Sequence, residues 1–217
     1  MTGLYIALEG PEGAGKTTQL RRLAARLRSL GLEVLETREP GGTAVGEAVR
    51  ALLLDPAQPL SPEAEMLLFA AARAQLVREV VRPALDRGQV VLSDRSVYAS
   101  LAYQGFGRGL DVEVVRRVNE VATAGLLPDL VVLLDLPVEE GLRRDAGGPG
   151  AEAAPDRIEG EGVEFHRRVR EGFLRLSRED ARIRVVPAGD DPERVEARIW
   201  EEVRRVVERR GGAGAPP

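Results

Sequence analysis

Apolar residues recur along this chain in two alternating rhythms. Short apolar-rich runs at residues 4–8, 33–37, 89–94, 130–135 and 183–186 have the length and content of buried strands. Between them the spacing becomes helical. Leu20, Leu23, Ala24, Leu27 and Leu30 share one face of a helix predicted over 16–30, which Gly31 ends. Further helices are predicted over 44–54, 63–87, 111–125, 138–144, 163–180 and 192–210, the long alanine-rich one starting at Ser61-Pro62. This alternation predicts an α/β fold with a mainly parallel sheet. Residues 145–162 break the pattern: they are rich in Gly, Ala, Pro and acid, with almost nothing to bury, as in a lid or a disordered loop. The expected organisation is one domain over 1–210 carrying that lid, then a flexible tail at 211–217.

Composition narrows the chemistry. With 217 residues the chain is long enough to bury a core without staples. It has no cysteine, which excludes disulfide scaffolds, thiol catalysis and cysteine-ligated metals. A single histidine, His166, excludes multi-histidine metal sites and argues against a Ser-His-Asp hydrolase; early in a charged helix, it is expected to be exposed and without function. Trp200, beside Ile199 and Val203, reads as core, and the Arg/Glu alternation over 164–184 as a solvated face. The net charge of -4 gives no bulk attraction to nucleic acid. No apolar run reaches the roughly 18 residues of a membrane span, and the N-terminus lacks a signal-peptide pattern. A soluble, cytoplasmic protein is expected. Of 31 basic residues only Lys16 is lysine, and Asn occurs once and Met twice. Heat adaptation and arginine-biased codon usage both explain that composition.

The lone lysine sits inside Gly10-Pro11-Glu12-Gly13-Ala14-Gly15-Lys16-Thr17, which fits the phosphate-loop pattern G-x-x-x-x-G-K-[ST]. A predicted strand precedes it and an amphipathic helix follows. Glycines let the backbone curl until successive N–H groups face phosphate oxygens, and the helix start adds its own free N–H groups and positive dipole end. Lys16 can reach the β- and γ-phosphates, and the Thr17 hydroxyl can ligate Mg²⁺. A GTPase needs N-K-x-D to read guanine, and no second lysine exists to supply it. Asp94, closing its strand, is the natural acid beside the metal; Asp135, closing another, competes for that role.

Further motifs resemble one family. Thr37-Arg38-Glu39-Pro40-Gly41-Gly42-Thr43, Asp94-Arg95 followed by Ser100 and Tyr103-Gln104-Gly105, Phe69 with Arg73, and Asp156-Arg157-Ile158-Glu159 are similar to thymidylate kinase, from Tyr5 to about Phe173. The resemblance implies a P-loop NTPase three-layer α/β/α fold with a five-stranded parallel sheet and a lid insertion, transfer of the γ-phosphate of ATP to dTMP with Mg²⁺, and a homodimer. It also implies that Arg38 and Arg95 hold the acceptor phosphate, that Phe69 stacks on thymine and Arg73 bonds its carbonyl oxygen, and that Ser100 and Gln104 meet the base. Tyr103 would crowd the sugar 2′ position, and Glu9 and Glu39 would lie near Mg²⁺ or the acceptor phosphate. On spacing alone Phe69 suits core packing equally, and Tyr103 and Gln104 read as residues of a glycine-rich loop. A kinase of another nucleoside monophosphate or small acceptor, and a nucleotide-binding protein without turnover, remain the alternatives.

One departure stands out. Some thymidylate kinases carry an arginine in the phosphate loop and others supply it from the lid; Glu12 here resembles the second arrangement. Yet residues 145–155 contain no arginine. A transition-state arginine is worth roughly 10³–10⁵ in rate. Arg144 and Arg143 at the lid entrance are favoured for it, with glycines beyond them to let that end fold over; Arg157 at the exit is expected to be restrained by Asp156 and Glu159.

Overall fold

The computed structural model describes residues 3–147 and 155–211. Five strands, β1 (Leu4–Glu9), β2 (Val34–Arg38), β3 (Val90–Asp94), β4 (Leu130–Asp135) and β5 (Ile183–Pro187), form one sheet in the order β2-β3-β1-β4-β5. Every neighbouring pair is parallel. Side chains alternate across β1, so its two faces feed two cores. Leu4, Ile6 and Leu8 join Leu20, Leu23 and Leu27 of α1 (Lys16–Ser29) and Val195, Ile199 and Val203 of α9 (Pro192–Gly211). Tyr5 and Ala7 face the opposite layer. There lie α3 (Pro62–Leu76), running through a π-helical turn at Val77–Val81 into α4 (Arg82–Asp86), then α5 (Val97–Ser100), α6 (Val112–Thr123) and α8 (Val163–Glu179). Helices α2 (Ala44–Leu54) and α7 (Val138–Gly147) complete the order. This is the α/β/α arrangement expected of a P-loop NTPase.

Four local expectations need correction. The long helix over 63–87 is interrupted by its π turn, and α7 runs three residues past Arg144. The segment read as a glycine-rich loop is helical: α5 continues into a π-helical stretch, Leu101–Gly107. Its glycines serve packing rather than turning. A Cβ on Gly107 would come within 2.8 Å of both Phe165 and Val169, so the small residue lets α8 seat against this segment. His166 is buried, not exposed; it lies on the inward face of α8 with Phe165, Val169 and Phe173, and its Nε2 has no hydrogen-bond partner among the described residues. Trp200 is half-buried against the α1–α9 core, as expected, with the Arg26 guanidinium 4.3 Å from its ring centre. The middle of the lid, 148–154, and the tail, 212–217, lie outside the described residues.

Candidate active site

In open α/β sheets ligands gather beyond the carboxyl ends of the strands, and four strands here end in chemistry: β1 in Glu9, β2 in Arg38, β3 in Asp94 and β4 in Asp135. The loop from Gly10 to Gly15 joins β1 to α1. Gly15 takes a left-handed conformation at φ 82°, leaving the first N–H groups of α1 open to an anion. A Cβ on Gly13 would stand 2.1 Å from the Gly141 carbonyl oxygen, so α7 rests directly on the phosphate loop. The Lys16 Nζ donates to the carbonyls of Gly10 (3.2 Å) and Pro11 (2.9 Å). The Thr17 hydroxyl donates to Asp94 Oδ2 at 2.7 Å. That pair puts two hard oxygens side by side, which suits Mg²⁺, an ion that completes its shell with water and phosphate. Among the described residues no group of three or more His, Asp or Glu side chains is placed to hold a metal ion by itself. Asp135, the competing acid, is held by both Nε (2.7 Å) and Nη2 (2.9 Å) of Arg170.

Arg95 follows Asp94 at φ 75°, a conformation costly for a side chain with a Cβ and found where a site demands it. Its amide donates to Leu8 O at 2.9 Å, and the Ser93 hydroxyl to its own carbonyl at 2.7 Å. So constrained, its guanidinium reaches Glu12 Oε1 (2.6 Å) and Gly10 O (3.3 Å) and lies 4.8 Å over the Tyr103 ring. The Tyr103 hydroxyl donates to the same Glu12 oxygen at 2.6 Å. Burial would raise the Glu12 carboxyl, but Arg95, Lys16 and Tyr103 together hold it down at about 2. Glu9 is the opposite case. Fully buried, it is pushed up to about 7 by desolvation, against the pull of Arg95 and the Ser96 hydroxyl; its Oε1 takes hydrogen bonds from Ser96 (2.7 Å) and the Ala99 amide (3.2 Å), while Oε2 has none. Burial and the Arg95 charge lower Lys16, against Glu12.

A cavity of about 810 Å³ runs from this loop to a second cluster on α3 and the π-helical stretch. Phe69, Arg73, Ser100, Tyr103 and Gln104 line it away from the loop, and Arg38 lines it too. Arg73 is buried and nearly saturated: Nε donates to Glu39 (2.5 Å), Nη1 to Ser100 Oγ (2.9 Å) and Asn119 Oδ1, and Nη2 to Ser96 O (2.9 Å). Burial raises the Glu39 carboxyl, offset by Arg73, and its Oε1 is left without a hydrogen bond. Arg38 is exposed and paired with Glu47 at 3.0 Å. The structure thus brings every residue expected from sequence to one cavity or its immediate support, apart from Arg143, which is exposed.

The lid arginines differ in freedom. Arg144 borders the cavity but is tied to Glu140 (2.5 Å) and to the carbonyls of Ala188 (3.0 Å) and Gly189 (3.2 Å). Arg157 is restrained, yet not by its neighbours: Asp156 caps the amides of Ile158 and Glu159, while Arg157 donates to Leu53 O (2.8 Å) and to Glu65 (2.6 Å). Sequence reasoning missed Glu65 and also Arg50, which borders the cavity and donates to Pro40 O at 3.1 Å. Both carried a signal. Glu65 precedes Phe69 by four residues, as Phe69 precedes Arg73, and Arg50 follows buried Gly46 by four on α2.

Comparison with known proteins agrees with this geometry. The family described as thymidylate kinase matches residues 8–199. A thymidylate kinase of Deinococcus radiodurans is 54% identical over 93% of this chain and 96% of its own length, and one of Halothermothrix orenii is 49% identical over 94% and 98%. The crystal structure of thymidylate kinase from Ehrlichia chaffeensis superposes with a TM-score of 0.75 at 28% identity, covering 94% of this chain and 99% of that one.

Proposed function

The chain belongs to the thymidylate kinase family, and from that premise we propose how its residues move the γ-phosphate of ATP onto dTMP, giving dTDP and ADP. The observation that carries the reading is one continuous cavity lined both by the phosphate cradle and by an aromatic, hydrogen-bonding wall. ATP phosphates lie on the Gly10–Gly15 amides and Lys16 Nζ, which gives up its two loop carbonyls to reach them. Thr17 and Asp94 would hold Mg²⁺, which when bound neutralises phosphate oxygens. Arg38 and Arg95 clamp the dTMP phosphate, their forks suited to two oxygens at once. Phe69 stacks on thymine, Arg73 offers its one remaining N–H to a base carbonyl, and Ser100 and Gln104 meet the ring. Tyr103, packed against Phe165 and Phe173, stands against the sugar and disfavours a 2′-hydroxyl. Glu9 and Glu39 support this acceptor end from beneath.

Positioning and charge neutralisation supply the acceleration, since phosphoryl transfer asks for little covalent work. Arg144 is the lid-side cation of choice because it already borders the cavity. A second copy of the chain would cover α3 and α6, two helices in mutual contact that expose Leu67, Val114 and Val121. Among the described residues no helix is long and apolar enough to cross a membrane; the cytoplasm, where ATP and dTMP are met, is the proposed compartment. The test is ADP release by the purified chain with dTMP, dUMP, AMP, GMP or shikimate as acceptor. The reading expects dTMP to be used best. A preference for another acceptor, or ADP release indifferent to the acceptor, overturns it.

A further inference from the structure

Glu65 lies one helical turn before Phe69 and two before Arg73, on the same face of α3, and is 1% exposed. Its carboxylate accepts from Arg108 Nη2 (2.9 Å), Arg157 Nη1 (2.6 Å) and Gln104 Nε2 (2.8 Å). Burial alone would raise this carboxyl, yet the bonds from Arg108, Gln104 and Arg157 keep it below the ordinary value, so it is ionised. An ionised carboxylate only accepts. Gln104 must therefore turn its NH₂ group to Glu65 and its oxygen away. Gln104 borders the cavity, and with its NH₂ committed to Glu65 the oxygen is the end left for that space; among the described residues no hydrogen bond to it is formed.

Beside it stands Arg73. A guanidinium has five N–H donors; four are committed to Glu39, Ser100, Asn119 and Ser96, which leaves one on Nη2. The base end of the cavity thus offers one donor from Arg73 and one acceptor from Gln104, beside the Ser100 hydroxyl, which accepts from Arg73 and can turn its own O–H to suit either edge. Thymine and uracil present the complement, a carbonyl oxygen beside a ring N–H. Cytosine presents the reverse, an amino group beside a bare ring nitrogen.

We propose that Glu65 is a specificity-determining positioning residue: by fixing the Gln104 amide with its oxygen toward the cavity, it makes the acceptor site select a pyrimidine edge bearing a ring N–H. This rests on the dTMP reading above. In Glu65→Gln the amide oxygen would stay with Arg157 and Arg108 Nη2, which donate to Oε2, and the NH₂ would face Gln104, so the Gln104 oxygen would no longer be held toward the cavity.

The test compares kcat/KM for dTMP and for 5-methyl-dCMP, which differ only at that edge, in the wild-type chain and in Glu65→Gln. A site that pairs buried polar groups should reject the wrong edge by roughly 10³-fold or more in the wild type. In Glu65→Gln that ratio should fall by about tenfold or more while KM for ATP holds, since only the amide's orientation has been released. Equal loss on both acceptors, or an unchanged ratio, overturns the Glu65 role and leaves the dTMP reading intact. A wild-type chain that does not prefer dTMP overturns both. Should Glu65→Gln fail to melt cooperatively, the wild-type chain answers by NMR. Among its five glutamines, the Gln104 side-chain amide, assigned by its loss in Gln104→Leu, should exchange with solvent far more slowly than that of Gln58. Exchange as fast as Gln58 overturns the role.

Discussion

Two carboxyl groups three residues apart, Glu9 and Glu12, are driven in opposite directions by their surroundings, and this split is the most testable feature at the scale of single residues. Glu9 rises from the ordinary 4.5 to about 7 because it is desolvated with one oxygen unpaired. Between those values the folded chain holds a proton that the unfolded chain has lost. The contribution of Glu9 to stability is therefore fully present below about pH 4.5 and is lost as pH rises through 7. The integrated effect is on the order of 3 kcal/mol. Urea titrations across this range should show Glu9→Gln losing that much less stability toward neutral pH than the wild type; parallel curves would contradict the assignment. Glu12, held down from 4.5 to about 2, acts with the other sign: its contribution is fully present above about pH 4.5 and is lost as pH falls toward 2. Lys16 sits among these charges with its ammonium on two loop carbonyls. Lys16→Ala should leave the melting profile close to wild type and cut turnover to below about a tenth, because the lost group neutralises phosphate rather than filling the core. A variant retaining more than that would place the phosphates elsewhere.

Among the elements, α7 lies directly against the phosphate loop, its Gly141 backbone abutting Gly13. Arg144 on this helix borders the cavity, Arg143 faces solvent, and Arg157 is anchored to Leu53 and Glu65. Ala substitutions assayed at saturating ATP and dTMP should lower kcat more than about tenfold for Arg144, with Arg143 less affected and Arg157 acting through stability. If none exceeds tenfold, the lid side supplies no catalytic arginine and Lys16 must suffice with the metal. Strands and most helices were legible in the sequence because their apolar spacing is strong: β4 and α2 end where the pattern says they do. The stretch from Val97 to Gly107 was not. Its glycines suggest a turn, and only tertiary packing reveals that Gly107 makes room for Phe165 and Val169 of α8. His166 failed for a related reason. Its neighbours in sequence are charged, but its helix face is apolar. Arg73 was legible as a candidate, but not as the buried centre of contacts from three segments, because Glu39, the two ends of α5 at Ser96 and Ser100, and Asn119 converge only in three dimensions.

For the molecule as a whole, ion pairs tie distant elements together. Arg22 bridges α1 to Glu193 (2.7 Å) and Glu196 (3.0 Å) of α9, with Arg26 3.9 Å from Glu196. Single exposed pairs contribute little at room temperature, whereas networks of this kind gain weight when hot. If the scarcity of Asn, Met and Cys reflects heat, calorimetry should place Tm above about 80 °C, beyond the mesophile cluster. A midpoint near that cluster would leave codon usage as the explanation for the arginines. The central claim, however, is that one cavity serves two nucleotides from opposite ends. Arg73 is a poor probe of it, because removing that guanidinium strands the buried Glu39 carboxylate and costs about 3–5 kcal/mol of stability. Phe69, half-buried at the base end and free of ion pairs, is the better one. The decisive measurement is the KM of Phe69→Ala for each nucleotide with the other saturating. The account predicts that KM for dTMP rises by about tenfold or more while KM for ATP stays within about twofold. Equal loss for both nucleotides, or none for dTMP, would contradict it.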